Sequence, residues 1–318
     1  MLTTTQKRTA EAIVNIFETS QVLGNYSKVT LLTGDTGHLT YGRSQTTLGS
    51  GNLSKLLERY CANQGARFAS RLEPSLPRFA AGDISLDNDL HVHNLLRASA
   101  DDPVMRDTQD AFFEEFYWEP AARAAEAIGI SSPLGVAVVY DSFIHGSWAM
   151  IRDRTDEKVG SCNAAGEKKW IKEYVATRRS WLADHSRADL RATVYRMDAL
   201  QRLIDQEYWG LNLPLVVRGA EISNVTLSAV PTGCYDGPQP GTRVLTLQSP
   251  MQRGLDVRLV QLGLSSAGMN IEADGVFGQT SVRLVKEYQA SQGQASTGVV
   301  NRTTCRLAEA AELYWGQV

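Results

Sequence analysis

Two carboxylates near the start of the chain have the residue types that acid–base chemistry needs: Glu18 in "NIFETS" and Asp35 in "GDTGHLTYGRS". Glu18 falls close to the expected end of an amphipathic helix. A carboxylate there feels the negative end of the helix dipole, and packing beside Phe17 would desolvate it. Both effects favour the protonated acid, with a raised pKa, which is the state that donates a proton to a leaving oxygen. A solvated glutamate on a frayed helix end carries the same local sequence. Asp35 lies between Gly34 and Gly37, whose freedom lets the backbone turn tightly and expose a carboxylate. Solvated and near backbone N–H groups, it stays ionised and can act as a base. An aspartate that closes an Asx turn reads the same way. Thr40 is either a plain strand threonine or a hydroxyl that orients a water. The pairing these residues suggest is Glu18 and Asp35 facing each other across a cleft, with a water between them.

The elements that must position them follow from periodicity. "TQKRTAEAIVNIFETS" places Ala10, Ile13, Val14 and Phe17 near one helical face, and Gly24 and Asn25 suit a stop. "KVTLLT" and "HLTYGRSQTT" have strand composition and are joined by the glycine loop. From Asn52 onward helix dominates. "DDPVMRDTQDAFFEEFYWEPAARAAEAIG" reads as a long helix kinked at Pro120. "SPLGVAVVYDSFIHGSWAMI" is apolar all round, as expected of a buried central helix. Beyond Ala220 the chain turns rich in Gly, Pro, Thr and Ser, the texture of a connector. A second compact segment follows, with two amphipathic helices split by "ADGVFGQT" and then a short third.

Composition bounds the function. At 318 residues, 43% hydrophobic and 21% charged, the chain has ordinary globular composition with room for two domains. Net charge is −3, carried by the front part, which disfavours a nucleic-acid partner. The apolar runs are too short to span a membrane. The start lacks an apolar stretch of signal-peptide length. Synthesis in the cytoplasm is therefore expected, with action at the cell wall or outside after signal-less export, lysis or trimming. Cys61, Cys162, Cys234 and Cys305 are far apart with no CxxC, so free thiols are expected. His91 and His93 have no third ligand in view, and neither a metal nor a cofactor is implied.

In combination, Glu18 at the end of the first helix, Asp35 in the following loop and Thr40 just after it resemble the lysozyme-like glycoside hydrolases, and most closely glycoside hydrolase family 46, the chitosanases. "FYWEPAARA", "VVYDSFIHG", "YVATRR", "YRMDALQR" and "GLNLPLVVRG" resemble further segments of that family in the same order, over roughly residues 3 to 219. The resemblance implies a mainly α, α+β lysozyme-like fold: a helical two-lobed catalytic domain with a small β hairpin region. It implies Glu18 as general acid, Asp35 as base and Thr40 holding the attacking water. It also implies inversion, which requires roughly 6.5–9.5 Å between the carboxyls. A buried ion network leads to the acid in the family, and Asp141, Arg178 and Arg196 occupy the matching positions. His38, Tyr41, Arg43 and Asn52 are expected to bind substrate. Two departures stand out. The family arginine two residues after the aspartate is Gly37 here, leaving Arg43 as the nearest substitute. The family's sugar-binding aspartate is Asn52, whose amide suits a neutral N-acetyl group.

In the tail, "GLDVRLVQLGL", "DGVFGQTS", "VKEYQ" and "TGVVNRTT" resemble a small three-helix peptidoglycan-binding domain. Phe277 is expected to pack inward and Thr280 to cap the next helix. The expected partition is a hydrolase domain over 1–222, a linker over 223–245 and the tail domain over 246–318. The tail is expected to act only as a tether, the front domain carrying its own core. The leading expectation is an inverting hydrolase of the β-1,4 glycan of peptidoglycan, muramidase-like, with the tail as wall anchor. The alternatives are a chitosanase acting on β-1,4-glucosamine polymer and a non-catalytic wall-binding protein. Peptidoglycan or chitosan is the expected partner, for a monomeric antibacterial effector or endolysin that an immunity or inhibitor protein could oppose.

Overall fold

The computed structural model describes residues 2–31, 36–43 and 45–301. Asp35, Ser44, Cys305 and the expected third tail helix lie outside the described residues. The fold is mainly helical with two small antiparallel sheets. The chain divides into two compact units, one formed by residues 1–24 and 113–229 and the other by 25–112 and 230–318.

In the first unit, helix α1, Thr4–Thr19, opens with a capping box between Thr3 and Gln6 and ends at Ser20, which adopts a left-handed conformation (φ 60°). It buries Ala10, Ile13, Val14 and Phe17 against the central helix Pro133–His145. That helix is buried continuously from Leu134 to Ser142, as its unbroken apolar sequence requires. Helices Glu167–Ala183 and Tyr195–Asp205 pack beside it, and strands β4 (Leu215–Val217) and β5 (Ala220–Ile222) form a hairpin. The long helix expected around Pro120 runs unbroken as Pro103–Phe113, a π segment, Glu114–Trp118, and Glu119–Ala127. Pro120 follows the π segment directly, where the missing N–H of a proline interrupts the regular ladder.

In the second unit, β1 (Val29–Thr30), β2 (Thr40–Tyr41) and β3 (Thr46–Thr47) form a three-stranded sheet with Thr40 opposite both Thr30 and Thr47. Helix α2, Asn52–Cys61, and helix Leu90–Ser99 carry its apolar core.

The tail helix Leu255–Ser266 belongs to this same core. Leu255, Leu259 and Leu262 join Leu53, Leu57, Tyr60 and Leu96 in one cluster, while Val257, Val260 and Leu264 face Phe277 and Val285 in another. The helix is therefore buried on every side from Leu255 to Ser265, not on one amphipathic face as expected. Most of its polar groups are matched, Arg258 Nε excepted. Asp256 accepts from Arg243, Gln261 donates to Asp274, and Arg258 pairs with Asp101 at 3.2 Å while donating to the carbonyls of Arg97 and Gly233 at 2.7 Å. Asn94 donates to the carbonyl of Ile271 and accepts from the N–H of Ala273. The 223–245 segment is anchored too: Leu227 is buried in the first unit, and the N–H of Tyr235 donates to Asp101 in the second. Phe277 is fully buried, whereas Thr280 does not cap Gln279–Ser291. Gly278 holds that position, with no side-chain cap. Cys61, Cys162 and Cys234 are free thiols.

Two outcomes follow from this packing. The tail is not a tether alone, so removing residues 243–318 should abolish the cooperative melting transition of the second unit. Each of Leu255, Leu259 and Leu262 contributes about 1.5–3 kcal/mol by burial, and Asp101 would lose Arg258 while Asn94 would lose Ile271 and Ala273. Near-ultraviolet circular dichroism through a thermal scan checks this. The second outcome concerns pH. Burial pushes the Asp101 carboxyl up to about 7, against the pull of Arg258. The folded state then binds that proton more tightly than the unfolded chain. The stability it confers is complete below about pH 4 and lost as pH rises through 7, at up to about 1.4 kcal/mol per pH unit. Asp101→Asn should flatten that decline in denaturant titrations between pH 4 and 7.

Candidate active site

The chemistry of the first unit centres on a chain of charges running through its interior. Asp141, on the central helix, is fully buried, and a carboxylate there survives only if its lone pairs are matched. Arg178, from helix Glu167–Ala183, donates from Nη1 to Asp141 Oδ2 at 2.6 Å and to Ser142 Oγ at 3.0 Å. Arg196, from helix Tyr195–Asp205, donates from Nε and Nη2 to Asp141 Oδ1 at 3.0 and 2.6 Å. Its remaining Nη1 reaches Glu18 Oε1 at 2.6 Å. At the other end, Arg178 Nη2 lies 3.1 Å from His145 Nδ1 and 3.3 Å from the carbonyl of Gly146. The order is thus His145, Arg178, Asp141, Arg196, Glu18, buried at the centre and open at Glu18.

Burial alone would raise the Asp141 carboxyl, but Arg196 and Arg178 together outweigh it and hold it below the ordinary aspartate range. Arg196 is held above its ordinary value by Asp141 and Glu18 in spite of its own burial. His145 is pushed down by burial and by the two guanidiniums, which suits a neutral ring accepting from Arg178.

Glu18 differs from expectation in its surroundings. Its side chain is 44% exposed, so packing beside Phe17 does not desolvate it. The Phe17 ring instead lies 5.2 Å from the Arg196 guanidinium, shielding the charge that holds Glu18.

In the second unit, Thr40 is largely buried in β2, and its hydroxyl donates to the carbonyl of His38 at 3.0 Å. His38 itself has a left-handed backbone (φ 56°). Its Nδ1 lies 2.8 Å from Asp87 Oδ2, and Asp87 Oδ1 accepts from the N–H of Leu39 at 2.8 Å. Asp87 therefore shapes the loop entering β2. It was not among the expected residues, because nothing in its local sequence marks a partner so far along the chain. Asn52 is half-buried in the first turn of α2, where its N–H donates to Ser50.

Two expected substrate contacts are corrected. Tyr41 is fully buried, its hydroxyl on Ser99, because it alternates with Thr40 and points into the core. Arg43 is only 6% exposed, held by Asp110, by Gln109 through its N–H and by the Tyr26 ring. It is a packing cation, not a substitute for the arginine absent at Gly37. Among the described residues no cluster of His, Cys, Asp and Glu could hold a metal, and no helix is long and apolar enough to cross a membrane.

Comparison with known proteins gives two domain matches. The profile of "Glycosyl hydrolase family 46" matches residues 12–215, and that of "Putative peptidoglycan binding domain" matches residues 253–307. A chitosanase of Bacillus subtilis (strain 168) is 29% identical over 237 residues, covering 70% of this chain and 85% of the relative. The structure of a native chitosanase from Bacillus subtilis MY002 superposes with a TM-score of 0.55 at 27% identity, covering 69% of this chain and 96% of that one. A chitosanase of Gynuella sunshinyii in complex with chitotetraose superposes with the same score at 24% identity, over 70% of this chain and 98% of its own, a likeness of fold alone.

Asp141→Asn should leave two buried guanidiniums with one formal anion too few, and destabilise the first unit by about 3–5 kcal/mol. The parent should show the same dependence through pH. An aspartate held below its ordinary value contributes stability that is present above about pH 4 and fades as pH falls toward the folded value. Urea titration of parent and variant at neutral and acid pH checks both: the gap between them should shrink on acidification.

Proposed function

The chain belongs to glycosyl hydrolase family 46 and is a glycoside hydrolase, and we propose that it cleaves a β-1,4-linked amino-sugar polymer of the chitosan type with inversion at the anomeric carbon. The observation that carries this reading is the placement of Glu18. It stands half-exposed at the end of α1, bonded to a guanidinium whose other donors are fixed on a buried carboxylate.

In the proposed reaction Glu18, protonated, gives its proton to the glycosidic oxygen as the C1–O bond breaks. A water attacks C1 from the opposite face, and Asp35 takes the proton that the water releases. Thr40 orients that water. The carboxylate left on Glu18 is then held by Arg196, which Asp141 keeps from swinging away. His38 and Asn52 are proposed to contact the sugar chain.

Relatives described as chitosanases support glucosamine polymer as the substrate. A second reading, peptidoglycan, is supported by the tail's domain match and by Asn52 standing where the family presents a carboxylate. Without that carboxylate an ammonium group loses an ion pair, whereas an N-acetyl group keeps a hydrogen-bonding partner.

Parallel assays on highly deacetylated chitosan and on purified sacculi separate the two. Chitosan should be depolymerised, the new reducing ends appearing first as the α-anomer in early-time NMR. Glu18→Gln should lower that rate by about two to four decades with the fold intact. Muropeptide release without chitosan turnover would move the reading to peptidoglycan, and a β-anomeric first product would exclude inversion.

A further inference from the structure

Arg196 is not alone in reaching α1. Its neighbour Tyr195 donates from its hydroxyl to the carbonyl of Phe17 at 2.7 Å. That carbonyl belongs to the last turn of α1, where no intrahelical donor remains. The N–H of Gln21, which would continue the ladder to Phe17, turns to the Thr19 hydroxyl instead. Two consecutive residues of one helix thus hold two consecutive residues of another: Tyr195 takes the carbonyl of Phe17, and Arg196 takes the carboxylate of Glu18. The Tyr195 ring also meets the Phe17 ring edge-on, with centroids 6.2 Å apart.

The other face of Tyr195 is covered by Arg218, whose guanidinium carbon lies 3.6 Å from the ring centroid. Arg218 and Gly219 form the two-residue turn between β4 and β5, both with positive φ (51° and 82°). Such a turn favours Asn or Gly at its first position, and an arginine held there costs on the order of 1 kcal/mol. The hairpin keeps this strained residue at the one place from which a cation covers Tyr195.

We propose that Tyr195 and Arg218 are positioning residues for Glu18: the Arg218 guanidinium fixes the Tyr195 ring, and the Tyr195 hydroxyl fixes the last turn of α1, so that the Glu18 carboxylate keeps its direction. The inference rests on the reading of Glu18 as the general acid. A general acid misplaced by even a fraction of an ångström loses rate while substrate binding is untouched.

Two variants test this on the intact chain. Tyr195→Phe removes one hydroxyl and keeps both ring contacts. Arg218→Gly removes the cation but relieves the turn. The probe is the glucosamine hexamer, or sacculi should those be the polymer that the wild type cleaves. Each variant should lower kcat by about tenfold with KM within about twofold. Arg218→Gly should keep the melting temperature within a few degrees of the parent, because relief of the turn offsets the lost cation–ring contact, and Arg218→Lys should restore part of kcat. A structural role alone predicts that activity follows stability, so an Arg218→Gly protein with unchanged kcat, or a rise in KM only, overturns the proposal. Glu18→Gln with near wild-type turnover would instead remove the reading beneath it, whatever Tyr195 does.

Discussion

A single buried carboxylate organises the first unit. Asp141 has no access to water, and a lone charge in that position would be expelled or neutralised. Two guanidiniums from two other helices settle the matter, and by doing so they fix how those helices meet the central one. The third guanidinium nitrogen of Arg196, Nη1, points at Glu18. The direction of a group at the surface is thus dictated by a pairing in the core. A buried pair of this kind adds little net stability relative to a well-packed apolar core. What it supplies is direction, because guanidinium geometry allows few arrangements of its donors.

The second unit handles buried polarity differently. Helix Leu255–Ser266 carries Asp256, Arg258 and Gln261 among its apolar residues. Each is covered, and each meets a group on another segment: Arg243, Asp101 and Asp274. The Arg258 charge is met as much by carbonyl oxygens as by Asp101, with its Nε left without a partner, and burial lifts the Asp101 carboxyl.

Much of this is legible in the sequence. The unbroken apolar run around Asp141 announced a buried helix holding a charge, and so a need for partners. Phe277 was legible as a core residue because its turn leaves an aromatic no other place. Other features depend on information no local pattern carries. With strands only two residues long, alternation could not tell that Thr40 and Tyr41 are both enclosed. The bond between Arg196 and Glu18 is a tertiary event, joining residues far apart in the chain. The tail helix was misread because polar residues at helical spacing signify solvent only when nothing else covers them. Arg218 was invisible, since a strained arginine in a turn looks in sequence like any surface arginine.

The burial of helix Leu255–Ser266 bears on how such a protein can change over generations. Modules joined by a loose connector are interchangeable, because few contacts cross between them and recombination can exchange one for another. Here the module shares its leucines and its hydrogen bonds with Asn94, Arg97 and Asp101. A gene fusion that replaced it would have to bring matching partners for those residues at the same time. Exchange of one segment without the other would leave those groups without their partners.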